Sequence, residues 1–280
     1  MPINKNSLQA RINNLSLEIG VHQNILLKMF FFDCFLKRLS ISKFCNNFVF
    51  KGGFLLSTSL GINLRSTQDI DFVLKNIEIS RDEIENIMKS ISSIDVGDNV
   101  IFNIKNIEDI REDDEYGGFN VSIECCFENI VDIIKIDIAT GDPITPEVID
   151  YTYKCLISDE ELKFKAYNFE TIIAEKMQTV LVRGILNSRS KDFYDLLIIY
   201  KLRWKSIDKK ILKQAFKNTC SYRNTIFTKD EAFNILKSIQ QDQQMHTRWN
   251  LFKKRNTFVS ENTFEDVLKV IIDIIDLIFD

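Results

Sequence analysis

The residues best suited to chemistry lie in one stretch, from Lys51-Gly52-Gly53 through Arg65-Ser66-Thr67-Gln68-Asp69-Ile70-Asp71-Phe72. An apolar run, Phe48-Val49-Phe50, stops at two glycines, and two aspartates separated by one isoleucine follow. On a strand, residues i and i+2 point the same way, so Asp69 and Asp71 can share a metal ion while Ile70 enters the core. A glycine turn at a helix start leaves backbone N–H groups for a phosphate. The chemistry these residues suit is the handling of a metal-bound nucleoside triphosphate. A third carboxylate, Asp137, lies in a run where Ile134, Ile136 and Ile138 alternate with Lys135 and Asp137. Two-metal nucleotidyl transfer needs acidic residues on adjacent strands to clamp the attacking and leaving oxygens, and Asp69, Asp71 and Asp137 supply that arrangement.

A second polar group follows later in the chain. Glu170, Glu175 and Lys176 interrupt an apolar helical pattern, and Lys191, Asp192 and Asp195 come after Arg189. Lys191 and Asp195 are four residues apart, the spacing of a surface ion pair. The other reading puts Lys176 or Lys191 on the triphosphate, with an aspartate as orienter or ligand, closing a cleft from a second domain. The acidic run Glu112-Asp113-Asp114-Glu115 reads as a solvated loop. Only two histidines are present, His22 and His246, which speaks against a zinc cluster or a histidine-based triad. None of the six cysteines forms a C-x-x-C pair, so they read as buried free thiols.

The elements that must position these groups follow from periodicity. Helices are expected at 5–19 and 21–45, a strand at 48–50, a helix at 54–60 stopped by Gly61, and a strand at 69–74. Ser80 begins a helix to Ser92 with Glu83 completing a capping box, and strands follow at 100–104, 119–127 and 131–139, the last ending in a Gly141-Asp142-Pro143 turn. Beyond about residue 165 the strand patterns give way to helices at 169–186, 191–200, 207–219, 228–240 and 262–279. The expected architecture is α+β: a domain at 1–165 with a mixed sheet flanked by helices, then an all-helical domain at 166–280. The 280 residues and 22 phenylalanines predict dense aromatic cores. A formal charge of −4 argues against coating nucleic acid by bulk electrostatics and leaves room for a local basic groove. No apolar leader opens the sequence, and Asp273 and Asp276 interrupt its longest apolar stretch, so a cytoplasmic protein without a membrane span is expected.

The run FLKRLSISKFCNNFVFKGGFLLSTSLGINLRSTQDIDF resembles the signature of the AbiEii/AbiGii toxin family, a hydrophobic-Lys-Gly-Gly turn followed by Arg-x-Thr-x-Asp-x-Asp. The resemblance continues through KIDIATGDPITP, FETIIAEKM and NSRSKDFYDL, four ordered motifs over roughly residues 35–200. It implies a polymerase-β-type nucleotidyltransferase domain joined to a helical one, in a toxin of type IV toxin–antitoxin or abortive phage-infection systems. Some such relatives bind GTP, and others transfer nucleotides to the 3′ end of tRNA. The resemblance implies an NTP substrate, Mg²⁺ or Mn²⁺, an RNA acceptor such as tRNA, and a cognate antitoxin of the AbiEi kind. Carried over by position, Asp69, Asp71 and Asp137 would bind the metal, Asp137 would be the base for the acceptor hydroxyl, and Lys176 would act in catalysis on the phosphates. Lys51, Gly52, Gly53, Arg65, Thr67, Lys191 and Asp192 would contact the nucleotide, with Arg65 and Thr67 also fitting a structural role. Gly53 stands where the wider superfamily has a serine, removing a hydroxyl from the phosphate turn. The competing readings are an NTP-binding protein without turnover, nucleotidylation of a protein, and a glycosyltransferase using Asp-x-Asp. The last usually has a longer α/β domain before the motif.

Overall fold

The computed structural model describes all residues except 1–3, 78, 111–116, 140, 142 and 260. The acidic run at 112–115 and the Asp142 of the expected turn therefore lie outside the described residues. The chain forms two compact units, Met1–Gly141 with Ile149–Ala166, and Asp142–Val148 with Tyr167–Asp280.

In the first unit, helices α1 (Lys5–Ile19), α2 (Gln23–Ile41), α3 (Gly52–Leu60) and α4 (Arg81–Ser92) accompany seven strands. These are β1 (Phe48–Phe50), β2 (Asp69–Leu74), β3 (Val100–Asp109), β4 (Gly118–Phe127), β5 (Ile130–Ala139), β6 (Ile149–Lys154) and β7 (Glu161–Ala166). They form one mixed sheet in the order β3-β4-β5-β2-β1-β7-β6. The β2–β5 and β1–β7 pairs are parallel and the rest antiparallel. Strict alternation buries Phe119, Val121, Ile123, Cys125 and Phe127 of β4 on one face and leaves the other partly open, which fixes the register. Phe50 centres the aromatic core, its ring 4.7 Å from Phe72, 4.9 Å from Phe164 and 5.4 Å from Phe54.

Helix α2 is apolar almost all round and correspondingly buried. Its two buried polar side chains both have partners, although the Arg38 Nε has none. Asp33 accepts from the Tyr153 hydroxyl and from the N–H groups of Leu156 (2.9 Å) and Ile157 (3.1 Å), and burial pushes its carboxyl up to about 7. Arg38 grips Asp98 with two bonds of 2.6 and 2.8 Å.

Several expectations need correcting; β3 runs to Asp109 rather than 104, and the helix from Phe169 ends at Arg183 rather than 186. Helix α2 ends at Ile41 rather than 45, because the Ser42 hydroxyl bonds the Leu39 carbonyl (2.8 Å) and accepts from the Phe44 N–H (3.2 Å), giving the chain a local alternative to another turn. Strands β6 and β7 were not anticipated, although Leu162, Phe164 and Ala166 alternate with Lys163 and Lys165; β7 lies parallel to β1. The second unit holds α5 (Phe169–Arg183), α6 (Ser190–Arg203), α7 (Lys209–Tyr222), α8 (Lys229–Gln241), α9 (Gln243–Arg255) and α10 (Phe264–Phe279). Of these, α9 was not anticipated: Met245 and Trp249 are its only buried residues, too sparse a stripe to stand out. The expected fold class holds, a mixed sheet with helices followed by an all-helical part. Among the described residues no single helix is long and apolar enough to cross a membrane.

Candidate active site

Strand β2 buries Ile70 and Phe72 and leaves Asp69 and Asp71 half-buried on its other face. In the parallel ladder with β5, Asp71 is the partner of Asp137 and Asp69 the partner of Lys135. Neighbouring strands lie about 4.8 Å apart and two residues along a strand span about 6.6 Å. The three carboxylates therefore share one face of two adjacent strands, with Asp71 beside Asp137 and Asp69 one pleat away.

The glycine turn meets this face directly. Gly52 has φ +59°, a left-handed conformation that favours glycine, and a Cβ there would lie 2.5 Å from Asp71 Oδ2. The Gly53 N–H donates to Asp71 Oδ2 at 2.9 Å, and the Lys51 N–H to the Asp71 carbonyl at 3.0 Å. An N–H expected to face a phosphate thus holds a carboxylate, an anion favoured at a helix N-terminus. On the other side of the turn, a Cβ on Gly53 would meet Arg65 Nη2 at 2.9 Å and Thr67 Oγ1 at 3.2 Å. Arg65 is buried and donates to the Ser66 carbonyl, while the Thr67 hydroxyl donates to the Asp69 carbonyl (3.3 Å). Both brace the loop that delivers β2.

One neighbour was not read from the sequence. Asn120 on β4 is the register partner of Asp137, and its Nδ2 donates to Asp137 Oδ1. Only the pairing register reveals it, since in sequence it is one polar residue in an alternating strand. In donor type the three aspartates match a hard divalent cation, which takes carboxylate oxygens. Among the described residues no group of three or more His, Cys, Asp or Glu side chains is arranged to hold a metal ion, so the trio is not preassembled into a cage.

The remaining predicted residues belong to the second unit. Lys176 on α5 places Nζ 2.9 Å from Asp192 and 2.7 Å from Asp195, both on α6, and Arg189 lies 3.1 Å from Asp192. The side chain of Lys176 is 12% exposed, those of Asp192 and Asp195 3% and 0%. Burial alone would lower the Lys176 ammonium, but the two carboxylates hold it above its ordinary value. Burial alone would raise Asp192, but Lys176 and Arg189 hold it below. Asp195 is thus in a buried ion pair with Lys176 rather than in a surface pair, and Lys191 is exposed. Glu170 accepts from the Asp208 N–H at 2.9 Å. Lys51, Gly52, Gly53, Arg65, Thr67, Asp69, Asp71 and Asp137 come together in the first unit, and Lys176 with Asp192 in the second.

Comparison with known proteins gives two kinds of match. A protein assigned as a nucleotidyltransferase from H. pylori has a crystal structure similar to this chain, with TM-score 0.54 and 16% identity over 92% of this chain and 96% of that one. JHP933 from Helicobacter pylori matches with TM-score 0.49 and 17% identity over 94% of this chain and 92% of that one. Comparison with curated protein sequences gives no match. The family model for the nucleotidyl transferase AbiEii toxin of type IV toxin–antitoxin systems matches residues 34–270. That span contains the glycine turn, the three aspartates and the buried ion pair, and the chain belongs to the AbiEii nucleotidyltransferase toxin family.

Proposed function

We propose that this toxin transfers a nucleoside monophosphate from an NTP to a hydroxyl of an RNA acceptor, with the tRNA 3′ end as the leading candidate. The observation that carries the reading is the pairing of Asp71 with Asp137 across β2 and β5, with Asp69 on the same face. Asp69, Asp71 and Asp137 would hold Mg²⁺ or Mn²⁺, which when bound neutralises the triphosphate and favours departure of pyrophosphate. In the transfer the acceptor oxygen forms a bond to the α-phosphorus, the bond to the pyrophosphate oxygen breaks, and the hydroxyl proton passes to the Asp137 carboxylate. The Gly53 N–H orients Asp71, and Asn120 orients Asp137. Gly52 lets the turn close on the site, with Lys51 at the helix start to meet the triphosphate. Within the helical unit, Lys176 keeps Asp192 ordered next to the exposed Lys191. A cognate antitoxin would restrain the activity in the cytoplasm.

Labelled NTP, Mg²⁺ and total RNA should yield labelled RNA and pyrophosphate, and Asp69→Ala or Asp71→Ala should abolish both. Absence of label from every RNA would refute the reading. The hold of Gly53 on Asp71 favours a second reading of NTP binding without turnover. It predicts saturable NTP binding with no pyrophosphate.

A further inference from the structure

The most one-sided charge in the chain lies in the helical unit. Between 201 and 217 stand Lys201, Arg203, Lys205, Lys209, Lys210, Lys213 and Lys217, with Asp208 the only acid, in a protein whose net charge is −4. Asp208 is engaged as the N-cap of α7, accepting from the N–H groups of Lys210 (2.8 Å) and Ile211 (3.1 Å). At about 100° per residue, positions 209, 210, 213 and 217 fall within roughly 100° of arc on α7. The opposite side, with Leu212, Ala215, Phe216 and Thr219, is buried. Lys205, Lys210 and Lys217 are exposed, Lys209 and Lys213 partly so. Among the described residues none of these five lysines has a carboxylate within 4 Å. Two carboxylates act on the stripe from farther off: Glu170, which favours the Lys209 ammonium, and Asp280, which is bonded first to Lys229 at 2.6 Å and only secondarily feels Lys213.

An ordinary solvated helix face mixes signs, and α8 and α10 do so; a stripe of one sign repels itself unless a polyanion neutralises it. Aromatic rings lie within the same segment. Trp204 is covered on both faces, stacked on Tyr200 at 4.5 Å with Lys209 Nζ 3.2 Å from its ring centre, and so fixes the start of the stripe. A one-signed lysine stripe complements the phosphate backbone of a single-stranded nucleic acid, and the polyglutamate arm of the test separates this from an acidic peptide.

We infer that α7 with its preceding turn, Trp204–Tyr222, is the docking surface for the acceptor RNA. The inference rests on the proposed transfer only in calling the bound RNA the acceptor. The test uses the full chain and a fluorescein-labelled RNA of about 16 nucleotides, with binding followed by anisotropy across a salt series. Replacing Lys205, Lys210 and Lys217 together by Glu should weaken binding on the order of 10- to 100-fold at 0.1 M salt. It should also reduce the slope of log affinity against log salt by about 2, at roughly 0.7 for each of three phosphates no longer neutralised. The triple Gln variant, with the same helix length and less charge change, should fall between. Reversing three exposed lysines of the first unit, Lys89, Lys105 and Lys154, should leave affinity within about threefold and the slope unchanged. Asp71→Ala should bind RNA like the wild type. Equal weakening by the two triple-Glu variants, equal binding of polyglutamate of matched charge, or no RNA binding by the wild type would overturn the inference. RNA bound through the stripe with no pyrophosphate release would retain the surface and reject the transfer. Transfer to RNA with unchanged KM in the Lys205/Lys210/Lys217 variant would do the reverse.

Discussion

Lys176→Met tests what the buried charge group in the helical unit does. The wild-type ammonium lies between Asp192 and Asp195 at 2.9 and 2.7 Å, all three side chains largely withdrawn from water. Removing one partner of a buried pair typically costs about 3–5 kcal/mol, because the remaining charge is left uncompensated. Here two carboxylates lose Lys176, with Arg189 remaining 3.1 Å from Asp192. With a urea slope of about 2 kcal/mol/M, the midpoint at pH 7 should fall by roughly 2 M, followed by far-UV circular dichroism. The pH dependence supplies the sharper test. In the wild type, Asp192 is held below its ordinary value, so its contribution is present above about pH 4 and is lost as pH falls through the lowered folded value. Lys176 is held above its ordinary value, so its contribution is present below about pH 10 and is lost above the raised one. In the variant the orphaned carboxyls are better tolerated protonated, so its deficit should shrink between pH 7 and pH 5. Adding Asp192→Asn and Asp195→Asn should recover most of the loss at pH 7, since a neutral group replaces the buried charges. A deficit under about 1 kcal/mol at pH 7, or one independent of pH, would refute a stabilising pair and leave Lys176 free for a direct part in the chemistry.

Other outcomes follow from the first unit. Gly52→Ala should lose pyrophosphate release and about 1–3 kcal/mol of stability, because φ +59° is strained for alanine and its Cβ would press on Asp71 Oδ2, as paired urea and turnover measurements would show. Asp33 has its folded pKa raised from 3.8 to about 7, so its contribution is fully present below about pH 4 and is lost as pH rises to about 7. At 1.36 kcal/mol per pH unit that amounts to at most about 4 kcal/mol, and Asp33→Asn should flatten this part of the stability profile, as unfolding at pH 5 and pH 8 would reveal. Arg38→Met should destabilise by about 3–5 kcal/mol, since it orphans Asp98 and removes the bond to the Val100 carbonyl (2.8 Å), measured by urea denaturation.

The strands of the site were legible because their signals are local. Asp69-Ile70-Asp71 declares its alternation within three residues, and Gly52-Gly53 declares a turn in two. The helix start at Ser80 was equally readable, its hydroxyl accepting from the Glu83 N–H at 3.2 Å, although the Glu83 side chain does not return the bond that would complete the expected capping box. What stayed hidden depends on partners distant in sequence. The alternation in 161–166 was present, but nothing local says that β7 lies parallel to β1, more than a hundred residues earlier. Asn120 is likewise unremarkable until register sets it against Asp137.

The charged residues show the same division at higher stakes. Lys191 and Asp195 have the spacing of a helix-surface pair, and local reasoning favours that pair at a few tenths of a kcal/mol. Packing α5 against α6 overrides it by burying Asp195, where an unpaired charge would cost several kcal/mol, and Lys176 answers that larger demand. A buried carboxylate claims the nearest cation whatever the spacing along its own helix. The same reasoning applies at the glycine turn, where Asp71 accepts the Gly53 N–H that sequence reading reserved for a phosphate. A nucleotide reaching that turn must therefore either leave this bond intact and be bound by the remaining groups on the face, or draw Asp71 away from Gly53 as a cation takes its oxygens. Asp71→Asn separates the two: it keeps an acceptor for the Gly53 N–H and removes the carboxylate charge. If a cation draws Asp71 from Gly53, the variant should bind NTP like the wild type without Mg²⁺ and fail to gain affinity when Mg²⁺ is added. Affinity that rises equally with Mg²⁺ in both proteins would show that Asp71 does not hold the cation.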